Sequence, residues 1–203
     1  MADFDIKPAS GTGNSLRLKN EAGNIVLSTN NATGASSWGT VAPAGSVIQV
    51  VSTAKTDKFS MSGSSFVAIT GLTAVITPKT TSNKVLITCT IGRCSPDINT
   101  GRTVSFKLTR GGSDIGIGTD LSGSKYGSTF VASATSNLNY TTGGLSFQFL
   151  DSPATTSATT YGVSINGESD ITVKINSSYT DGSGSETYDS VSISTITAME
   201  IVA

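Results

Sequence analysis

Apolar and polar residues alternate strictly along much of this chain, and no other feature restricts its fold as strongly. The alternation is clearest at 104–110, 145–149, 171–175 and 191–194. A period of two places neighbouring side chains on opposite faces of an extended strand, whereas the spacing of an amphipathic helix is nearly absent. The abundant threonine suits the polar faces, because its β-branched side chain packs well on a pleated surface. The pattern therefore predicts strands with one face on a core.

Clusters of glycine and small polar residues separate the alternating runs, at 111–114, 122–124, 142–144 and 181–184. Many short strands punctuated in this way are typical of an antiparallel sandwich or jelly roll. We therefore predict an all-β protein, with an antiparallel β-sandwich or jelly-roll head preceded by an extended N-terminal arm and a β-hairpin. The strands of the head are expected around 46–51, 66–69, 73–76, 85–91, 104–108, 115–117, 129–132, 145–149, 161–166, 171–176 and 191–201.

The chain changes character along its length in a way that predicts two domains, 1–45 and 46–203. Residues 1–13 have the composition of a loosely structured arm, residues 14–29 that of one hairpin, and residues 30–37 that of a linker. A lone hairpin is marginally stable in water, so its apolar face needs a partner from outside. That partner is either sister chains around a common axis or another protein.

Apolar residues of this N-terminal segment are candidates for attaching the chain to a larger assembly. Leu16 and Leu18 lead into the predicted hairpin, Ile25 and Leu27 lead out of it, and Trp38 follows the linker. Tryptophan is enriched at protein interfaces, so an anchoring role is one reading of Trp38. Packing of this ring against the main domain is an equal alternative.

The charge content argues against acid–base chemistry and against polyanionic partners. The chain of 203 residues has no histidine, 13 basic and 14 acidic residues, and a formal net charge of -1. Histidine is the side chain that exchanges protons most readily near neutral pH, and it is the commonest metal ligand. A net charge near zero provides no electrostatic footprint for nucleic acid, and no apolar run is long enough for a membrane helix. We therefore expect no enzymatic activity, no metal or cofactor, no nucleic-acid partner and no membrane insertion.

Glycoside cleavage by paired carboxylates is the catalytic alternative that the sequence leaves open. A nucleophilic serine would lack the usual histidine base. The acidic residues in or beside predicted loops are Asp114, Asp120, Asp151, Glu168, Asp170 and Glu186.

The two cysteines, Cys89 and Cys94, are expected to be structural. Cys89 shares its parity with Val85 and Ile87 along an alternating run, so we predict a buried apolar thiol. A disulfide or a metal pair is the alternative. It requires a turn at Gly92, because an extended strand would hold the two cysteines about 17 Å apart.

Two tyrosine-containing loops are candidate contacts for a glycan or a protein. Tyr179 and Tyr188 lie within 176–189, and Tyr126 and Tyr140 lie in a second cluster of small polar residues. This mixture is favoured in adaptable binding loops, where the ring supplies rigid contact area and the hydroxyl forms hydrogen bonds. The alternative is that these rings only cover strand ends.

Several segments together resemble a domain that is repeated in structural proteins of tailed bacteriophages, notably marine and cyanobacterial ones. The resemblance covers roughly residues 14–203, and its most specific part is LDSPATTSATTY at 150–161. The other segments that carry it are VIQVVSTAKTDKF at 47–59, SSFVAITGLTAVITP at 64–78, SNKVL at 82–86, FKLTR at 106–110 and STITAME at 194–200.

The resemblance implies a non-enzymatic subunit of a virion that is assembled in the bacterial host cytoplasm. Such proteins are tail fibres, virion fibres or minor structural proteins, and the leading expectation is a short trimeric fibre with an outward head for host attachment. The strand order also resembles trimeric jelly rolls of the tumour-necrosis-factor kind, which supports a homotrimer by analogy of fold. Residues 1–45 would contact other virion proteins. The alternatives are a capsid decoration or cement protein that stabilises the shell, and a host-independent carbohydrate-binding module.

Overall fold

Antiparallel strands form all the regular structure that the computed structural model describes, which comprises 17–19, 21–23, 25–29, 36–38, 42–96, 103–123, 125–133, 143–167, 171–178 and 190–203. Within these residues there are fifteen strands and no helix. The all-β prediction is therefore confirmed. By its internal contacts the chain divides into two units, Met1–Ser46 and Val47–Ala203.

The first unit contains a three-stranded antiparallel sheet in the order β1-β2-β3. Its strands are β1 (Arg17–Lys19), β2 (Ile25–Thr29) and β3 (Ser36–Trp38). The prediction of a single hairpin followed by a linker was therefore wrong at the end of the linker, because Ser36–Trp38 pairs with β2. A two-stranded hairpin leaves an edge of unpaired backbone groups, and the third strand satisfies that edge.

The second unit, the head, contains the remaining twelve strands, which run from β4 to β15. They are β4 (Val47–Lys55), β5 (Phe59–Ser62), β6 (Val67–Ile76), β7 (Lys84–Ile91), β8 (Cys94–Pro96), β9 (Thr103–Arg110), β10 (Ser113–Ile115), β11 (Phe130–Ser133), β12 (Leu145–Asp151), β13 (Thr159–Gly167), β14 (Thr172–Ile175) and β15 (Ser194–Ile201).

The head is a jelly roll. One sheet has the order β12-β7-β15-β4, and the other has the order β10-β9-β13-β6, with β11 also paired to β9. The first long strand, β4, pairs with the last, β15, and the next, β6, pairs with β13. This nesting of strands from the two ends of the chain is the rolled double Greek key of jelly rolls. A small third sheet, β5-β14-β8, completes the head.

The core lies between the two large sheets and is built by the alternation seen in the sequence. In β7, Val85, Ile87, Cys89 and Ile91 are buried, while the residues between them are half-buried or exposed. Burial of one large apolar side chain is worth about 1.5–3 kcal/mol. The aromatic part of the core joins strands of both sheets, with ring centroids 5.8–6.5 Å apart among Phe106, Phe130 and Phe147.

Three details of the strand prediction were wrong. The strands expected at 66–69 and 73–76 form one strand, β6, because Gly71 has a φ of 81° and continues the chain through an irregularity in its pairing. Strands β5 and β8 were not predicted. They are only 4 and 3 residues long, too short for alternation to be visible.

The strand directions define two ends of the head, which we call the proximal end and the distal end. At the proximal end, β4 begins, β15 ends, and the chain connects β6 to β7, β9 to β10 and β12 to β13. At the distal end lie the third sheet and the strand ends that lead from β4 to β6, β7 to β9, β11 to β12 and β13 to β15.

Candidate functional site

The connection between β10 and β11 folds back over the outer face of β9 and forms a groove. Its backbone is tied by hydrogen bonds from Gly118 N to Ser128 O at 3.3 Å and from Thr129 N to Phe106 O at 2.8 Å. The groove has a volume of about 620 Å³. Side chains from the connection and from the two strands line it, including Thr103, Ser105, Asp120, Leu121, Lys125, Tyr126 and Val131.

Tyr126 is the aromatic side chain in the groove lining, and its ring is braced from one side. The ring meets Phe66 edge to face, with centroids 5.3 Å apart and an interplanar angle of 89°. The Lys107 ammonium lies over the Phe66 ring, 4.2 Å from the ring centroid. The same ammonium forms an ion pair with Asp114 Oδ2 at 2.6 Å. Tyr126 remains 44% exposed. A ring held in this way offers a free apolar surface together with a hydroxyl.

Polar side chains around Tyr126 complement the ring. Asp120 supplies acceptor oxygens, Lys125 supplies a charged donor, and both are exposed. Thr119 and Ser105 add hydroxyl groups, and Leu121 adds apolar area. An apolar platform with a few polar groups at its rim is suited to a ligand that carries both apolar faces and hydroxyls.

The other predicted glycan-contact residues, Tyr140, Tyr179 and Tyr188, lie outside the described residues. Only Tyr126 of that set is therefore placed. The sequence did not point to Ser105 and Val131, because they lie on strands β9 and β11 and reach the groove only through folding. No local pattern marked them.

The first three residues of the predicted binding loop at 176–189 are internal, whereas its two tyrosines lie outside the described residues, so the prediction of a binding loop stays a prediction. Asn176, Ser177 and Ser178 are buried. The Asn176 amide donates to Lys55 O at 2.9 Å and to Asp57 O at 3.0 Å, and its oxygen accepts from Ser194 Oγ at 2.7 Å. Asn176 has a φ of 65°, a conformation that its short polar side chain tolerates. It therefore ties chain segments together inside the head.

Strand pairing places the backbone of most of the predicted attachment residues. Leu18 lies in β1, is 47% exposed and pairs with Leu27 in β2, which in turn pairs with Trp38 in β3. Ile25 pairs with Lys19. Leu16 lies outside the described residues. The pairing brings Leu18, Leu27 and Trp38 into one row across the sheet.

Both cysteines are free and buried, which confirms the prediction of a buried apolar thiol at Cys89. Burial raises the pKa of Cys89 and of Cys94 to about 12. The chain turns at Gly92 between β7 and β8, but no disulfide joins the two residues. In the described parts of the chain, no three histidine, cysteine or acidic side chains form a group that could hold a metal ion.

Asp151 has a structural role. The buried carboxylate accepts hydrogen bonds from Arg110 Nη1 at 2.9 and 3.0 Å and from Tyr161 Oη at 2.7 Å. Burial and then the bond to Asp151 raise the pKa of Tyr161 above its usual range. Asp114 is likewise paired, with Lys107. These two carboxylates are among the six that the sequence leaves open for glycoside cleavage, and both are bonded to cations.

The fold defines the class of protein as an all-β jelly-roll protein, and comparison with known proteins adds no family. No protein-family model matches the chain, and no curated protein matches it. One chain in the structure of infectious bursal disease virus Gt strain matches with a TM-score of 0.34 and 12% identity, over 98% of this chain and 47% of that chain. This chain thus spans about half of the viral chain, and a similarity this low carries no argument about function. Among the described residues, no helix is long and apolar enough to cross a membrane.

Proposed function

We propose that this chain is a non-enzymatic structural subunit of a bacteriophage virion, a short trimeric fibre whose jelly-roll head binds a saccharide on the host surface. The observation that carries the adhesive role is the groove, with the braced and 44% exposed ring of Tyr126 at its edge. A sugar ring presents apolar C–H faces to an aromatic ring and hydroxyls to the surrounding polar groups. Asp120, Lys125 and Thr119 supply those groups.

Binding without hydrolysis is supported by the carboxylates of the described groove lining. Among its lining residues Asp120 is the single carboxylate, whereas glycosidases position two across the scissile bond. The sequence resemblance to phage structural proteins supports the virion location.

The N-terminal segment would attach the subunit to the particle through Leu16, Leu18, Ile25, Leu27 and Trp38. Its described sheet has three strands of only 3 to 5 residues, so a partner that covers one of its faces would stabilise it. The exposure of Leu18 agrees with a surface that awaits such a partner.

Saccharide binding is tested with the purified full chain on an array of bacterial surface polysaccharides. We expect binding by the wild type, a loss of about tenfold or more in Tyr126→Ala, and partial retention in Tyr126→Phe, since tenfold corresponds to about 1.4 kcal/mol. The control, Val75→Ala, lies on the outer face of β6 and should bind as the wild type does. Equal binding by Tyr126→Ala, or no binding by any form, contradicts the adhesive role.

Attachment is tested by deleting residues 1–45 and assembling particles with the remaining head. We expect a folded head that does not join particles, and a fibre-like copy number for the full chain. A copy number comparable to that of the capsid protein would favour the decoration or cement protein, and retained assembly of the head would contradict the role of residues 1–45.

A further inference from the structure

The outer face of the β12-β7-β15-β4 sheet carries no charge over most of its area. Strand register aligns the outward side chains into three full rows of four across the sheet, and none of the twelve is acidic or basic. From the proximal to the distal end, the rows are Leu150-Leu86-Met199-Val50, Gln148-Thr88-Thr197-Ser52 and Ser146-Thr90-Thr195-Ala54.

The three rows are sorted by polarity along the strands. The proximal row is wholly apolar, with Leu150 51% and Val50 58% exposed. In the next row, at the proximal edge, Ile201 pairs with Val47 on one side and with Lys84 on the other, so one charge borders the apolar row. The two distal rows consist mainly of hydroxyl side chains. Within the face, the Ser52 and Thr197 hydroxyls are bonded at 2.8 Å, and those of Thr90 and Ser146 at 3.2 Å.

The outer face of the opposite large sheet differs because it carries charge. Lys107 lies there in an ion pair with Asp114. A surface that associates with a copy of itself around a symmetry axis brings like residues close together, so charges on it would repel. The uncharged face has no such cost, and a chain with net charge near zero associates more readily.

The size of the uncharged face suits a subunit contact. Four strands span about 19 Å, and the three rows cover six residues along each strand, or about 20 Å, which gives a projected area of about 380 Å². A standard interface buries about 800 Å² per partner, so these rows supply about half of one.

We propose that this face is the self-association surface of the chain and that the symmetry axis runs parallel to its strands. Rotation about such an axis keeps every row at its own height, so the apolar row meets apolar rows and hydroxyls meet hydroxyls. A twofold axis that lies in the plane of the interface and runs perpendicular to the strands would exchange the two ends and press the apolar row against the polar rows. The number of copies, three, rests on the proposed function, whereas the face and the axis direction do not.

The face is tested by the oligomeric mass of the full chain in solution, measured by light scattering after gel filtration. We expect an oligomer for the wild type, the monomer mass for Val50→Lys, and the wild-type mass for Val75→Lys. Val75 is the matched control, 51% exposed on the opposite sheet. A monomeric wild type, or an intact oligomer of Val50→Lys, overturns the proposal. Polysaccharide binding at Tyr126 should persist in monomeric Val50→Lys. Failure of the self-association surface can therefore be distinguished from failure of the proposed function.

The axis direction is tested with Met199→Cys and Thr195→Cys, each treated with a short bis-maleimide. These outward positions lie four residues apart on the central strand β15, which is about 13 Å. An axis parallel to the strands brings each position near its own copy, so both variants should cross-link between chains. A twofold axis in the interface plane and perpendicular to the strands brings at most one of the two positions near its own copy, so cross-linking of only one variant overturns the axis. The wild type, treated in the same way, is the control for reaction of the two native thiols, Cys89 and Cys94, which are buried.

Discussion

Asp151 shows how one buried charge ties the two large sheets together at the residue scale. It ends β12 in one sheet, while Arg110 and Tyr161 lie on paired strands of the other. The Asp151 side chain is 8% exposed and that of Arg110 is 35% exposed. Removal of one partner from a buried ion pair is costly mainly when the charge left behind cannot reach water. Arg110 should therefore contribute more to the stability of the fold than the Tyr161 hydroxyl does.

We expect Arg110→Met to lower the free energy of unfolding by about 3 kcal/mol or more, because it leaves Asp151 as an unpaired buried charge. Tyr161→Phe removes one hydrogen bond and should cost about 1 kcal/mol. Lys84→Met, which removes a cation bonded to the Ser152 hydroxyl at the surface, is the control and should stay within about 1 kcal/mol of the wild type. Urea unfolding measures all three. The reverse order for Arg110 and Tyr161 would contradict the assignment.

At the scale of elements, the end of β15 holds the turn between β6 and β7. Glu200 is fully buried, and its Oε1 accepts from Asn83 Nδ2 at 2.7 Å and from Lys79 N at 2.5 Å. In the amide orientation that suits its neighbours, Gln49 donates to Glu200 Oε2 at 3.2 Å and to Thr77 O at 3.1 Å. A carboxylate only accepts hydrogen bonds, so each of these three donors has a suitable acceptor.

Glu200→Gln keeps the size of the side chain but turns an amide N–H₂ toward one of these donors. We expect a loss of about 1–3 kcal/mol in the free energy of unfolding, because buried donors then lack an acceptor. Hydrogen–deuterium exchange should rise first in the turn at 77–83. The exposed Glu21→Gln is the matched control and should change neither quantity. Unchanged exchange of the turn in Glu200→Gln would show that the carboxylate does not hold it.

At the scale of the whole molecule, the buried proton donors make stability depend on alkaline pH. The pKa of Cys89 and of Cys94 is raised from 9.0 to about 12, and that of Tyr161 is raised from 10.0. The folded state therefore keeps protons that the unfolded state releases. The stability from these groups is complete below pH 9 and is lost as pH rises through the folded pKa values.

We expect the free energy of unfolding to fall above pH 9, by up to about 1.4 kcal/mol per pH unit for each titrating group. The Cys89→Ala, Cys94→Ala double variant should start from a lower stability but show a shallower slope between pH 9 and 10. Chemical denaturation at a series of pH values measures the slope. A flat profile from pH 8 to 11 would mean that these groups are accessible to solvent in the folded state.

Local pattern was sufficient for the strands and for part of the site. Alternation predicted β9, β12, β14 and β15 because burial on one sheet face imposes a period of two on neighbouring residues. Tyr126 was also visible, since an aromatic residue among small polar ones marks a loop by composition. Gly71 was misread as a break for the same local reason, because a glycine that bulges a strand and one that ends it have the same sequence signature.

What the sequence by itself determined is the all-β class, the face of each long strand and the absence of histidine chemistry. Tertiary structure alone decided that β4 pairs with β15 across 145 residues at Ser52 and Thr197, and that Asp151 is an internal tie. It also placed Ser105 beside Tyr126 and aligned four apolar residues from four strands in one row. The physical reason is that side-chain period is a local property, whereas register and strand neighbours depend on the packing of the whole core.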